Sequence, residues 1–215
     1  NGGQISVSHA EPWANPAAPG KIYQWLGRED APLLFRLRAD PRQWAWGLRF
    51  LIECLPGRTR RNTLTILRLG LYSRDLLKAL RRETGVQYDH LGKGILQIHT
   101  DVREFEVAHA RVDLLRSHGC ELLIRNVQEC MELEPALRSS RIGLVGGTYA
   151  PDDESGDAHQ FTGNLAELCG QQGVQFGYEH AVEALSVDGD SIAGAIVRDP
   201  EGKRELVKAD AFLVA

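Results

Sequence analysis

Residues 149–160 read YAPDDESGDAHQ, and four acidic side chains fall within six consecutive positions of this stretch, with a glycine among them. The stretch admits three interpretations: a calcium loop, a pair of catalytic carboxylates, or the polar start of a helix. A calcium loop of the EF-hand type needs oxygen ligands at alternate positions, glycine at the sixth and glutamate at the twelfth. Counting from Asp152 places Asp157 sixth and Gly163 twelfth, so the spacing excludes that interpretation.

Asp157 and Gln160 have the spacing of a helix start. An N-cap aspartate accepts backbone N–H bonds, a glutamine three residues on can return one, and negative charge suits the positive end of the helix dipole. We therefore predict a helix over 158–172, followed by a strand at 174–178. The cap leaves the carboxylates of residues 152–154 unexplained. Acid–base chemistry by them stays open, because the sequence shows neither a partner base nor a pocket.

Hydrophobic periodicity on both sides of this stretch predicts a mixed α/β (α+β) chain. The first twenty residues, rich in proline and glycine, predict an extended loop. Apolar residues at helical spacing, with cap residues at the ends, predict helices at 41–55, 62–84, 101–119 and a short one from residue 126. Apolar runs bounded by turn residues predict strands at 94–99, 121–124, 182–187, 192–197, 205–208 and 211–214, with a hairpin turn at 188–191.

The composition excludes several classes of function. The chain has 215 residues, of which 43% are hydrophobic and 25% charged, as in an ordinary globular protein. Its formal charge of −4 gives no reason to expect binding to nucleic acid. The four cysteines form no CxxC pair, which argues against a zinc site and a disulfide framework and favours a cytoplasmic location. No apolar run approaches the roughly 20 residues of a membrane span.

Motifs for hydrolytic, phosphate-binding or metal chemistry are missing from the sequence, which has no GxSxG, GxxxxGK[ST], HExxH or HxxxH. Residues 143–147 (GLVGG) lack the GxGxxG fingerprint, so we interpret them as a strand end that needs close backbone approach. Tyr149 and His159, at the two ends of the acidic stretch, are candidates for substrate contacts. The tryptophans and arginines of residues 24–29 (QWLGRE) and 43–50 (QWAWGLRF) are typical of core packing, with a membrane-surface face as the alternative.

Several segments, taken in order, resemble one protein family. They are NGGQIS (1–6), EPWANPAAPG (11–20), YSRDLLKALRRETGVQYD (72–89), GKGILQIH (92–99), ELEPAL (132–137) and APDDESGDAHQFTGNLAELCGQQGVQF (150–176). The family is that of D-amino acid dehydrogenase small subunits, D-amino acid oxidase, glycine oxidase and sarcosine oxidase, all of them flavoproteins. The resemblance runs in order from residue 1 to residue 215, so it covers the whole chain.

The resemblance implies a partial FAD-binding, Rossmann-like domain with an inserted substrate (cap) domain of helices and antiparallel strands. Residues 1–20 would form a flavin-side loop, 21–148 the cap domain, and 149–215 the return into the FAD-binding domain. The implied reaction is oxidative deamination of D-amino acids to 2-oxo acids and ammonia. In it a hydride passes from Cα to FAD, and a quinone or another acceptor then takes the electrons. No catalytic side chain and no metal are assigned.

The resemblance also implies which residues contact FAD: Asn1, Gly2, Gly3, Gln4, Ile5 and Ser6 beside the isoalloxazine, Val182 at the adenine end, and Ala215 at a strand entering a second glycine turn. Because the family's GxGxxG unit and C-terminal half are not in the sequence, we expect an internal fragment that is inactive and binds FAD poorly alone. Alternative functions are another amine oxidoreductase, acting on glycine, proline or sarcosine, and a non-catalytic interaction module. Peripheral association with the inner face of the cell membrane is a further expectation.

Overall fold

The computed structural model describes residues 3–25 and 39–214, which form two compact units divided between Leu165 and Ala166. In the described residues, the first unit contains most of the helices and two antiparallel sheets. The second contains a three-stranded antiparallel sheet. Mixed helices with antiparallel strands were predicted from the sequence, and this prediction is confirmed.

Proline begins two of the helices of the first unit. The helices are α1 (Ala18–Trp25), α2 (Pro41–Glu53), α3 (Pro56–Thr84), α4 (Val102–Arg116) and α5 (Val127–Leu133). Pro56 lies in the first turn of α3, where the missing N–H has no intrahelical partner to lose. The predicted start at Asn62 is therefore wrong, and the Asn62 side chain instead donates to Glu53 Oε2 at 2.8 Å. The end of α2 at Glu53 also falls before the predicted residue 55.

Side-chain caps set the other helix ends much as predicted. Asp101 Oδ1 accepts from the backbone N–H groups of Arg103 and Glu104 at 2.8 and 3.0 Å, so α4 begins after it. Asn126 and Glu129 form a capping box at the start of α5. α3 ends at Thr84 and is capped by Gly85, whose φ of 68° is the left-handed conformation that glycine adopts without strain. α4 ends at Arg116, before the predicted residue 119.

The N-terminal segment is more structured than the predicted loop. It contains β1 (Gln4–Ile5), a 3-10 helix (Val7–His9) and, from Ala18, the helix α1. Val7 and Ala10 are buried in one hydrophobic core with Leu67 of α3 and Val112 of α4. Burial of one such large aliphatic side chain stabilises a fold by roughly 1.5–3 kcal/mol. Packing against distant residues therefore orders a segment whose own sequence has no clear periodicity.

An antiparallel sheet contributes to the same core. Its strands are β2 (Ile95–His99), β3 (Leu123–Arg125) and β4 (Gly146–Ala150), in the order β2-β4-β3. A Cβ at Gly146 would lie 2.5 Å from the Phe105 ring, and one at Gly147 would lie 2.8 Å from Cys130 Sγ. The interpretation of residues 143–147 as a strand end that needs close approach is therefore confirmed for Gly146 and Gly147, whereas a Cβ at Gly143 would meet nothing within 4 Å.

The second unit is entered within α6 (Ala158–Gln171) and contains β6 (Ala181–Asp188), β7 (Ser191–Arg198) and β8 (Arg204–Val207). These strands form an antiparallel meander, and Gly189, with a φ of 58°, lies in the predicted hairpin turn. Two predicted strands are absent from the described residues. Residues 174–178 and 211–214 have no partner strand there, and an extended segment needs one for its backbone hydrogen bonds.

Within the described ranges, no helix is both long enough and apolar enough to cross a bilayer.

Candidate functional site

The acidic stretch of the sequence pairs with the N-terminal segment inside the first unit. β1 lies antiparallel to β5 (Glu154–Ser155), with Gln4 opposite Ser155 and Ile5 opposite Glu154. The Gly156 N–H donates to the Gly3 carbonyl at 2.7 Å. A Cβ on Gly3 would overlap the Gly156 carbonyl oxygen, so only glycine allows this approach. Two segments far apart in the sequence are thus joined by their backbones.

A third segment flanks β5 on its other side. The backbone N–H and carbonyl groups of Leu91 exchange hydrogen bonds with those of Ser155 at 2.8 and 3.0 Å. The Asp157 N–H donates to the Tyr88 carbonyl at 2.7 Å. A Cβ on Gly156 would lie 2.5 Å from the Tyr88 ring. Residues 153–157 therefore form the centre of a small backbone-bonded layer.

Asp153 is almost completely buried, with 1% of its surface exposed. Its carboxylate accepts three hydrogen bonds: from Ser6 Oγ at 2.8 Å, from the Val7 N–H at 3.0 Å and from the Ser8 N–H at 3.3 Å. Charge-assisted bonds of this kind offset the cost of burying a carboxylate. Asp153 therefore acts as the N-terminal cap of the 3-10 helix, which the sequence pattern did not reveal.

Ser6 also contacts His9, whose Nδ1 lies 2.6 Å from Ser6 Oγ. A serine hydroxyl has a single hydrogen, and that hydrogen is donated to Asp153. His9 must therefore donate its Nδ1–H to Ser6. The side chains form a chain in which serine lies between histidine and aspartate, so the histidine cannot accept the serine proton as it does in a hydrolase triad.

Glu154 faces the opposite direction and binds α3. Arg81 donates to both of its carboxylate oxygens, at 2.7 and 3.2 Å, and also to the Tyr88 hydroxyl at 2.8 Å. Lys78 Nζ and His90 Nε2 lie 3.6 and 3.0 Å from the same carboxylate. Burial alone would raise the pKa of Glu154, but the hydrogen bonds and charge of Arg81 outweigh it and hold that pKa below its ordinary value. The hydrogen bond to Glu154 is also the main reason that the pKa of Arg81 is raised.

A pocket of about 220 Å³ lies beside this layer. It is lined by Gly3, Gln4, Ile5, Leu77, Tyr88, Gly156, Ala158 and Phe161. The rings of Tyr88 and Phe161 meet edge to face with 5.2 Å between their centres. No carboxylate is among the lining residues. The walls combine apolar side chains with the backbone of two glycines, which suits a flat ligand with apolar faces and polar edges.

Of the sequence-predicted contact residues in the first unit, Gly3, Gln4 and Ile5 line this pocket, and Ser6 follows them along the chain. Tyr149 lies on β4, and its hydroxyl donates to the Lys93 carbonyl at 2.9 Å. His159 is exposed in the first turn of α6. Neither side chain is among the pocket-lining residues.

The remaining predicted contacts lie elsewhere. Val182 is on β6 of the second unit and is 65% exposed. Asn1, Gly2 and Ala215 lie outside the described residues. The helix start at Asp157 is confirmed, since its Oδ1 accepts from the Gln160 N–H at 2.9 Å. The predicted return bond is wrong, because Gln160 Nε2 donates to Asp89 Oδ2 at 2.9 Å.

Sequence reasoning missed Leu77, Tyr88 and Phe161 as pocket walls and Arg81 as the partner of Glu154. Arg81 and Glu154 are 73 positions apart, and no local pattern links them. In the described part of the chain, no group of three or more His, Cys, Asp or Glu side chains could hold a metal ion.

The chain is similar to a known protein family and to individual proteins of known name. The profile of the family described as "DAO: FAD dependent oxidoreductase" matches residues 1–215. A "D-amino acid dehydrogenase" of Dechloromonas aromatica (strain RCB) is 54% identical over 215 residues, which are 100% of this chain and 51% of that protein. The protein of the same name from Paramagnetospirillum magneticum (strain ATCC 700264 / AMB-1) is 48% identical over 216 residues, 100% of this chain and 50% of that protein. The chain thus spans about half the length of these relatives.

Solved structures show the same fold. A glycine oxidase from Bacillus cereus ATCC 14579 aligns with a TM-score of 0.55 at 24% identity, over 66% of this chain and 38% of that one. An L-proline dehydrogenase from P. horikoshii aligns with a TM-score of 0.55 at 18% identity, over 66% of this chain and 36% of that one.

Proposed function

Because the chain belongs to the DAO family of FAD-dependent oxidoreductases, we propose that the intact protein containing it is a D-amino acid dehydrogenase. It would convert D-amino acids to 2-oxo acids and ammonia and pass the electrons to a quinone or a similar acceptor. The observation that carries the proposal is the 54% identity to a D-amino acid dehydrogenase over the whole chain. An enzyme acting on glycine, proline or sarcosine is the alternative within the family.

The residues around the pocket suit the ring system of FAD. Ile5, Leu77 and Phe161 offer apolar surface to a flat ring, and glycine backbone at residues 3 and 156 leaves its edge open to main-chain groups. Bound FAD supplies the hydride acceptor for the reaction. In this proposal the protein orients the substrate and excludes water, and Asn1, Gly2, Gly3, Gln4, Ile5, Ser6, Val182 and Ala215 contact the cofactor.

We propose the domain assignment of the sequence analysis for the intact protein. Residues 1–20 are the flavin-side loop, 21–148 the cap domain, and 149–215 the return into the FAD-binding domain. Tyr149 and His159 remain the candidates for substrate contacts. The buried hydrogen bonds of Asp153 and the ion pairs of Glu154 support structural roles for these carboxylates rather than acid–base roles.

The test is purification of the intact protein and measurement of its visible spectrum and its substrate range. We expect a flavin spectrum, and dye reduction that is faster with D-alanine than with glycine, proline, sarcosine or L-alanine. A purified intact protein without flavin would refute the proposal that it is an active FAD-dependent enzyme. Faster turnover of glycine or proline would replace the D-amino acid proposal with the alternative.

We also propose that the 215-residue chain alone neither binds FAD tightly nor turns over. The sequence contains no GxGxxG, the loop that presents a helix N-terminus to the pyrophosphate. Titration of the purified chain with FAD, followed by flavin fluorescence, tests this, with the intact protein as the control. A yellow chain that reduces dye with D-alanine would contradict it.

A second proposal concerns α2. Trp44, Leu48 and Leu51 share one face of this helix and are 56%, 62% and 50% exposed. Arg42 and Arg49, seven positions apart, share a different side of α2 with Trp46, which is 55% exposed. Exposed tryptophan and leucine side chains together with arginines fit an anionic lipid surface. We propose that α2 makes the intact protein a peripheral membrane protein.

Cosedimentation with phosphatidylglycerol vesicles tests this proposal, with phosphatidylcholine vesicles as the neutral comparison. Each of Arg42→Gln and Arg49→Gln should lower the partition coefficient about fivefold, because one basic residue near an anionic surface contributes about 1 kcal/mol. Trp13→Ala is the matched control, since Trp13 is 82% exposed outside this helix. Equal losses for the control, or binding indifferent to lipid charge, would refute a role for α2.

A further inference from the structure

The N-terminal segment of residues 3–8 is held at both ends by residues of the acidic stretch. At one end the Gly3 carbonyl accepts from the Gly156 N–H. At the other end Ser6, Val7 and Ser8 donate to Asp153. Between these ends, Gln4 and Ile5 form part of the pocket wall. The position of that wall is therefore set by contacts made outside the pocket.

We propose that Asp153 is a positioning residue for the flavin-side loop, which it fixes by accepting from Ser6 Oγ and from the N–H groups of Val7 and Ser8. This inference rests on the proposed function, because the loop is the segment assigned to the isoalloxazine. Asp153 acts through residues 4–6 and does not touch the cofactor or the substrate.

The burial and the hydrogen bonds of Asp153 support a positioning role and argue against acid–base catalysis by this residue. Asp153 is 1% exposed and is not among the residues that line the pocket. Its Oδ2 accepts from Ser6 and Ser8, and its Oδ1 accepts from Val7. A carboxylate so occupied has no access to a substrate proton.

The same contacts explain why one side chain can control the loop. Val7 is anchored in the core at 6% exposure, so the 3-10 helix cannot shift freely to follow a changed partner. An amide in place of the carboxylate turns one acceptor into a donor, and its nitrogen would face the N–H of Val7 in the position of Oδ1 or the N–H of Ser8 in the position of Oδ2, neither of which can accept. The loop would then move at residues 4–6, where the flavin ring is proposed to lie.

The experiment compares Asp153→Asn with Asp152→Asn in the intact, FAD-loaded protein. Asp152 is adjacent in sequence, and its half-exposed side chain contacts Arg74 at 3.3 Å rather than the loop. For Asp153→Asn we expect a shifted and broadened flavin absorption band, a changed flavin reduction potential and a kcat lowered about tenfold, with KM changed less. Misplacement by about 1 Å at a distance from the chemistry can cost up to a hundredfold in rate. The Asp152→Asn protein should match the wild type in all four measurements.

Ser6→Ala is the second variant, because it removes one donor and leaves the buried carboxylate with two backbone partners. It should shift the flavin band in the same direction by a smaller amount. Folded Asp153→Asn with wild-type spectrum, potential and kcat would overturn the inference. If Asp153→Asn does not fold, a Ser6→Ala protein with wild-type spectrum and kcat overturns it. A wild-type protein without flavin would refute the proposed function instead, so the two failures are distinguishable.

Discussion

Replacing Arg81 by methionine tests how much more a buried ion pair contributes to the stability of this fold than an exposed one. Arg81 binds both oxygens of Glu154, whose side chain is only 6% exposed, at a closest distance of 2.7 Å. Removal of one partner from a buried pair typically costs 3–5 kcal/mol, because the other charge is left buried without compensation. Lys78 and His90 remain near Glu154 and Arg81 is itself 23% exposed, so we expect a loss of about 2–3 kcal/mol.

The matched control is the Arg58–Glu53 pair, whose N···O distance is 2.8 Å but whose side chains are 45% and 35% exposed. Arg58→Met should destabilise the protein much less, because solvent screens an exposed pair. Both variants are measured by urea unfolding of the intact protein, and Glu154→Gln with the double variant Arg81→Met/Glu154→Gln completes a thermodynamic cycle. Equal effects of Arg81→Met and Arg58→Met, or a double variant no more stable than Arg81→Met, would refute the reasoning.

The decrease in stability at acidic pH tests the Arg81–Glu154 ion pair independently. The pKa of Glu154 in the folded protein lies below its ordinary value of 4.5. The unfolded chain therefore binds a proton first as the pH falls, and the stability contributed by the carboxylate is complete above 4.5 and is lost through the folded pKa. In Arg81→Met this loss should be smaller, and an unchanged acid limb would contradict the assignment.

Three further predictions concern single residues. Gly3→Ala should reduce the flavin content of the intact protein, measured by its absorbance, because the added Cβ would overlap the Gly156 carbonyl oxygen. Burial, followed by the charge of Arg111, holds the pKa of His99 below its ordinary 6.5, so stability should decrease as the pH falls below 6.5, and His99→Phe should flatten urea-unfolding stability in that range. Burial raises the pKa of the Cys120 thiol to about 11, so this thiol should resist iodoacetamide at pH 8 until the protein is unfolded, as mass spectrometry can determine.

Local chemistry accounts for the parts of the fold that the sequence predicted. Asp101, Asn126 and Asp157 cap helices through backbone groups two or three residues away, so short-range pattern was enough to find them. The start of α3 was missed because two positions suit a helix start: Asn62 as an N-cap residue, and Pro56 upstream of it as the first residue of the helix. Residues 174–178 have strand composition, but a strand depends on a partner, which composition cannot supply.

The candidate site was less predictable because its contacts also join residues that are far apart in the sequence. The helix-capping role of Asp157 could be inferred locally, whereas Asp153 caps a 3-10 helix that is 146 positions away along the chain. Neighbouring carboxylates at 153 and 154 point to different parts of the first unit, and their sequence context is nearly identical. Only the fold distinguishes them.

The hydrogen bond between Ser6 and Asp153 spans 147 positions, which has a consequence for biosynthesis. At about 5–20 residues per second, a ribosome needs roughly 7–30 seconds to make the intervening chain. The N-terminal segment must wait that long for the carboxylate that organises it, and closure of so large a loop is entropically costly until the rest of the core is formed. The segment proposed to face the flavin should therefore reach its final conformation late, so that cofactor capture follows folding of the first unit.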